Sequence, residues 1–217
     1  MTQTLSLTRR AGLGLALTLG CALAAPATGF AQGGARDPSA EQYVAVQAQR
    51  VLTLLSDKSM SESERIKTFR GVVDQIADVP RITRFVLGKY ARTATPAQRQ
   101  QFDPLFRTYA QDVYESRLSE YHGETIRVDG SIVRNPGDVI VNSTVMGGKV
   151  GKPSHVGWRV MNSGSGWKIV DVEVSGVWVA ITQQQDFVST IDNAHGDVGV
   201  LIAQLQKDVK QHEAARR

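Results

Sequence analysis

At His122-Gly123 the chain changes its hydrophobic period. Before that pair, apolar residues recur every three or four positions, the spacing that puts side chains on one stripe of a helix. After it they alternate, the spacing that puts them on one face of a strand. A chain that reads as helices first, alternating strands next and helices again at the end folds as α+β. The expected form is N-terminal helices, then a strongly twisted antiparallel sheet of four to five strands, then C-terminal helices.

The helical part has recognisable punctuation. Ser39 is placed to cap a helix to about Asp57 with a stripe of Val44, Ala48, Val51, Leu52 and Leu55. Ser61-Glu62-Ser63-Glu64 is a capping box opening a helix with Ile66, Phe69, Val72, Val73 and Ile76. Asp78 and Pro80 begin a third helix, carrying Ile82, Phe85, Val86 and Tyr90. Thr95-Pro96 begins a long fourth helix to about Tyr121, where Pro104 is expected to cause a kink or delay the onset. Strands follow around Ile126–Val128, Val139–Val145 and Val156–Val160, with turns at 135–138, 147–153 and 162–166. The stretch Gly166–Ile181 alternates Val170, Val172 and Val174 against Asp171, Glu173 and Ser175, then continues through Val177, Val179 and Ile181. Gly176 breaks the count, so Val174 and Val177 share a face only through a bulge or bend. Helices at Gln183–Asp192 and from Asp197 to about Gln211 close the chain.

Residues 1–31 read as a secretory signal: Arg9-Arg10, an apolar run Ala11–Ala25, and small residues before a cleavage point after Ala31. Thr8–Leu13 only partly matches a twin-arginine signal, which favours Sec export. The expected organisation is a 32–38 tether, one 39–211 domain and a 212–217 tail, with the protein in the periplasm. Cys21 is the only cysteine, so cleavage leaves a chain without a thiol and without a disulfide. Arg9 and Arg10 carry the only charges of the first 31 residues, and the remainder is nearly balanced, with no basic stripe for nucleic acid.

Catalytic signatures are weak. Gly147–Lys152 fails as a phosphate loop because Met146 and Pro153 stand at required positions. His122, His155, His195 and His212 lack partners at metal-ligand spacing. Asp171 is a conceivable general base, but its alternation points to a solvated carboxylate or an ion pair. No Gly-x-Ser-x-Gly elbow is present. No metal and no cofactor are expected.

The order of motifs resembles the MlaC, or toluene-tolerance, family of periplasmic lipid-binding proteins. The likeness rests on Arg84–Arg92, Thr95-Pro96 with Gln98 and Phe102, then Tyr114, Leu118 and Tyr121. It continues through Gly166–Val172, Gly176-Val177, Phe187, Gly196, Leu201-Ile202 and Leu205. Departures at Ala91, Gln183-Gln184 and Trp178 resemble the hopanoid-associated HpnM branch. The resemblance implies a non-enzymatic monomeric carrier of phospholipid or hopanoid. It would shuttle cargo between an outer-membrane lipoprotein complex and an inner-membrane ABC transporter complex, with acyl tails in an apolar cavity. The lining expected on that basis is Phe85, Tyr90, Phe102, Phe106, Tyr109, Val141, Val145, Val156, Trp158, Val160, Val172, Val174, Val177 and Val179. A small isomerase or hydrolase using Asp171, or a ligand-free periplasmic adaptor, are the alternative readings.

Overall fold

The computed structural model describes residues 35–118, 121–148 and 151–215. The expected secretory signal, the first three residues of the tether and the end of the tail lie outside the described residues. Among those described, no helix is long and apolar enough to cross a membrane.

Among the described residues, six α-helices and five strands follow the helix–sheet–helix order: α1 Pro38–Ser56, α2 Glu62–Ile76, α3 Val79–Val86, α4 Pro96–Leu118, β1 Glu124–Asn135, β2 Asp138–Gly147, β3 Ser154–Asn162, β4 Trp167–Val174, β5 Val177–Trp178, α5 Val179–Asn193 and α6 Val198–Ala215. The sheet is an antiparallel meander in the order β1-β2-β3-β4-β5. The fold class is α+β, as the period change implies.

Local chemistry explains most of the boundaries. The Ser61–Glu64 capping box closes both ways, with Glu64 N donating to Ser61 Oγ at 3.2 Å and Ser61 N to Glu64 Oε2 at 3.0 Å. Asp78 caps α3 by accepting from Arg81 N at 3.1 Å. Thr95 and Gln98 form a second reciprocal pair before α4. That helix begins at Pro96, so Pro104 does not delay its onset.

Several expectations need correction. The cap of α1 is Asp37, not Ser39: Asp37 Oδ1 accepts from Ser39 N and Ala40 N, each at 3.0 Å, and Pro38 is already helical. The third helix does not run on to Tyr90. It stops at Val86, and Gly88–Ala91 forms a short 3₁₀ turn. The strand expected to continue to Ile181 stops at Val174. Ser175 and Gly176, with φ of 53° and 85°, make a tight hairpin turn of the kind that matches strand twist. Val177 therefore pairs directly with Val174, and only two residues of β5 are formed before α5 starts at Val179.

Apolar side chains gather in two cores. One joins α1 and α2 to the sheet through Ala40, Val44, Phe69, Val72, Ile76, Val139, Val141, Val160 and Ile169. The other belongs to the helices: Val86, Leu87, Phe102, Phe106, Phe187, Ile191, Leu201 and Leu205. The Leu87-Gly88-Lys89-Tyr90 segment is fitted against α5. Gly88 has φ of +53°, and a Cβ there would stand 2.7 Å from Val188 Cγ2. Gln184 Nε2 donates to Phe85 O at 2.5 Å, and Lys89 Nζ meets Asp192 Oδ1 at 2.6 Å.

Gly88→Ala should therefore cost about 2 kcal/mol of stability, since it adds both left-handed strain and a clash. Gly71→Ala, in a helix with open space around the new methyl, should instead gain about 0.5–1 kcal/mol. Urea denaturation of the two variants beside the parent reads both changes.

Candidate functional site

Residues opposite one another in adjacent strands share a face of the sheet. The register places Val128, Ser143, Val156 and Val174 in one row, and Ile126 with Val145 in the next row outward. Ser131, Val141, Trp158 and Val172 form the row inward of these. All lie on one face, which carries Val139, Val141 and Val160 into the core with α1 and α2, where each is 0% exposed. Toward the far end the same face opens. Val174 is 46% and Val177 53% exposed, although both continue the apolar row. The polar groups within this face are paired: Trp158 Nε1 donates to Ser143 Oγ at 2.8 Å, and that hydroxyl donates to Val156 O at 3.0 Å.

The helical core has an aromatic centre. Phe102 and Phe106 stack at 5.7 Å, and Phe187 stands edge-on to both at 6.1 and 5.9 Å. Tyr109 closes on Phe187 at 6.2 Å. The residues expected to line a lipid pocket thus fall into separate groups. Phe85, Tyr90, Phe102, Phe106 and Tyr109 belong to the helical core. Val141, Trp158, Val160 and Val172 belong to the sheet core. Val145, Val156, Val174 and Val177 form the outer end of the apolar face. Val179 stands apart as the first residue of α5. Phe187, central to the aromatic group, was legible only as part of the family pattern, because the turn before it, Gln183–Asp186, is polar.

The opposite face of the sheet mixes polar residues with Ile132 and Ile140 and holds a buried charge system. Arg159 grips Asp138 with two bonds, Nε to Oδ1 at 3.0 Å and Nη2 to Oδ2 at 2.9 Å. These bonds hold the Asp138 carboxyl below the usual range despite its burial. Asp171 lies opposite Arg159 in β4. Contrary to expectation it is not solvated: it is 7% exposed, and Oδ1 accepts from Ala180 N and Val172 N, each at 2.8 Å. Trp178, the N-cap of α5, makes no side-chain capping bond. Asp171 supplies the missing acceptor from a neighbouring strand, with a negative charge where a helix start favours one. Burial pushes its carboxyl above the usual range, against the pull of those N–H groups and of Arg159. Its hydrogen-bonding geometry is that of a structural cap. Trp178 turns toward the same face, its indole 3.5 Å from where a Gly157 Cβ would stand.

A groove of about 1140 Å³ runs between α2 and α4 beside the end of α6, lined by Glu62, Ile66, Lys67, Arg70, Asp74, Arg107, Gln111 and Ala215 among others. It is a charged cleft, unlike the apolar face of the sheet.

The family model for MlaC proteins matches residues 46–207. The chain belongs to the MlaC family. A curated relative, toluene tolerance protein ttg2D of Pseudomonas putida, is 26% identical over 128 residues, which are 58% of this chain and 59% of that protein. The chain thus matches somewhat less than two thirds of that relative's length. Among solved structures, a phospholipid-binding protein from Ralstonia solanacearum, determined in complex with a phospholipid, is similar with a TM-score of 0.68 and 30% identity. The match covers 82% of this chain and 99% of that one. The resemblance read from Arg84–Arg92, Gly166–Val172 and their neighbours is therefore to the right family.

Two outcomes follow from the buried charge system. Asp171→Ala leaves two backbone N–H groups without their acceptor and should lower stability by about 2 kcal/mol, with Asp171→Asn losing less because its amide oxygen still accepts. Thermal melts at neutral pH measure the order. Asp138 has a folded value below its unfolded one, so its stabilisation is present above the ordinary carboxylate range. That stabilisation is lost as pH falls through the lowered value. Asp138→Asn should thus cost about 3 kcal/mol at pH 7. The gap from the parent should close in melts taken at progressively lower pH through that window.

Proposed function

We propose that the protein is a non-enzymatic carrier of two-tailed lipid, holding acyl tails between the apolar face of its sheet and its helices. The observation that carries this reading is the likeness to the Ralstonia solanacearum phospholipid-binding protein across nearly its whole length. The sheet's apolar face, continuing past the packed core into exposed Val174 and Val177, supports it. The fourteen residues named from the sequence are proposed as the lining. Their division between two cores is compatible with tails lying where those cores meet.

The energetics suit transport. A two-tailed lipid has on the order of 30 methylenes, each worth ~0.8 kcal/mol on leaving water. That total, roughly 24 kcal/mol, prevents useful release into water. Against a bilayer the balance is near neutral, because tails leave one hydrocarbon environment for another. An apolar site therefore retains cargo in water and gives it up to a membrane complex. We place the carrier in the periplasm, exported by residues 1–31 and working as a monomer between an outer-membrane lipoprotein complex and an inner-membrane ABC transporter complex. Phospholipid is the proposed cargo. Hopanoid is the second candidate, on the departures at Ala91, Gln183-Gln184 and Trp178.

Solvent extraction of the purified protein followed by mass spectrometry should recover about one two-tailed lipid per chain. A lipid-free protein that also takes none from vesicles overturns the proposal. Val174→Glu and Val177→Glu alter exposed positions and should fold normally, yet recover severalfold less lipid, because a charge at the end of the apolar face opposes the tails. Equal recovery removes these two residues from the lining.

A further inference from the structure

The two cores are joined in two different ways. Along β4 the joint uses main-chain groups. Asp78 N, at the start of α3, donates to Ile169 O at 2.9 Å, and Ala180 N, in the first turn of α5, donates to Asp171 Oδ1 at 2.8 Å. These bonds hold the helical core to one strand of the sheet. On the other side, α2 belongs to the sheet core and α4 to the helical core. There the bonds run from side chain to side chain. Asp74 Oδ1 accepts from Arg107 Nε at 2.9 Å and from Gln111 Nε2 at 3.2 Å, and its other oxygen meets Arg107 Nη2. One turn earlier on α2, Arg70 Nη2 reaches Asp112 Oδ1 at 2.9 Å. The Asp112 side chain is fully buried, whereas Asp74 and Arg107 are 26% and 50% exposed.

We infer that α2 and α4 form a latch over the seam between the two cores, and that parting Asp74 from Arg107 and Gln111 opens the seam for lipid to enter and leave. This rests on the carrier reading. The asymmetry is physical: long, partly exposed side chains can exchange a partner for water at little cost, while a buried acceptor for main-chain N–H groups cannot. The sheet with α1 and α2 then swings from the helical core about the β4 joint, as hinged units do. The charged groove of about 1140 Å³ lies over this seam, so water is already at hand to solvate the separated charges. Arg70 and buried Asp112 limit the motion, because exposing or unpairing that carboxylate is the costly part of opening.

Charge reversal tests the latch. The full chain is loaded with a fluorescent phospholipid, and transfer to vesicles of phosphatidylcholine with phosphatidylglycerol is timed. Asp74→Arg and Arg107→Asp each set like charges across the latch and should speed transfer about fivefold. The double reversal restores opposite charges and should return the rate to within about twofold of the parent. Asp74→Asn, the mildest change, should fold even where a reversal does not, and should speed transfer about twofold. Thermal melts establish that each variant is folded. Unchanged transfer in the folded single variants, or a double variant as fast as the singles, overturns the latch. A parent chain that takes up no phospholipid overturns the carrier reading itself, a different result from a loaded parent whose variants transfer at its own rate.

Discussion

A buried carboxylate in the middle of a sheet is an expensive group, and here it holds the two halves of the structure together. Asp171 sits in β4, the strand whose other face contributes to the sheet core, and it accepts the N–H of Ala180 at the start of α5. From α5 the helical core is assembled: α3 and the Gly88 turn clamp onto it through Gln184 and Asp192, and Phe187 enters the aromatic centre. With Trp178 providing no cap, the orientation of α5 depends on an acceptor nine positions earlier in the chain and across a hairpin. The requirement also explains why the strand ends early. Continuing as strand through Ile181 would carry Ala180 away from Asp171.

The charge balance on Asp171's face of the sheet follows from the same arrangement. Arg159 is bound to Asp138 and lies opposite Asp171 in the register. One carboxyl is drawn down by direct bonds to the guanidinium, and the other is pushed up by burial. For Asp171 the folded value exceeds the unfolded one, so its ionisation works against folding. That cost is absent below the ordinary carboxylate range and fully present above the raised value. Asp138 behaves in the opposite sense, its stabilisation being lost only as pH falls through its lowered value. Confining Asp138, Arg159 and Asp171 to this face keeps buried charge away from the valines of the other.

Much of this was legible in the sequence, because much of it is local. Capping pairs such as Ser61 with Glu64, and stripes such as Phe69, Val72 and Ile76, depend on residues three or four apart. The change of period at His122-Gly123 marks the boundary between α4 and the sheet. What was not legible depends on distant partners. The proper cap of α1 competes among Asp37 and Ser39, and the decision involves Ser131, whose hydroxyl accepts from Asp37 N at 2.8 Å. Gly88 reads as an ordinary glycine until Val188 is placed beside it. Asp171 alternates with its neighbours like a solvent-facing residue, and only the return of α5 over it makes it buried. The fourteen expected lining positions were chosen by period and resemblance, which identify apolar faces but cannot say that these faces divide between two cores.

The amino-terminal approach to α1 bears on how this protein behaves in crowded solution. β1 is an edge strand, and edges of sheets are templates for pairing with other chains. Residues just before α1 cover part of that edge: Val133 N donates to Ala35 O at 2.9 Å, Asp37 N is held by Ser131, and Arg36 reaches over Gly130 to bind Glu41. A few residues thus act as a guard against self-association, anchored at both ends by charge and hydroxyl contacts. Without Ala35 the N–H of Val133 would lose its main-chain acceptor, and that stretch of the margin would be open to a foreign strand.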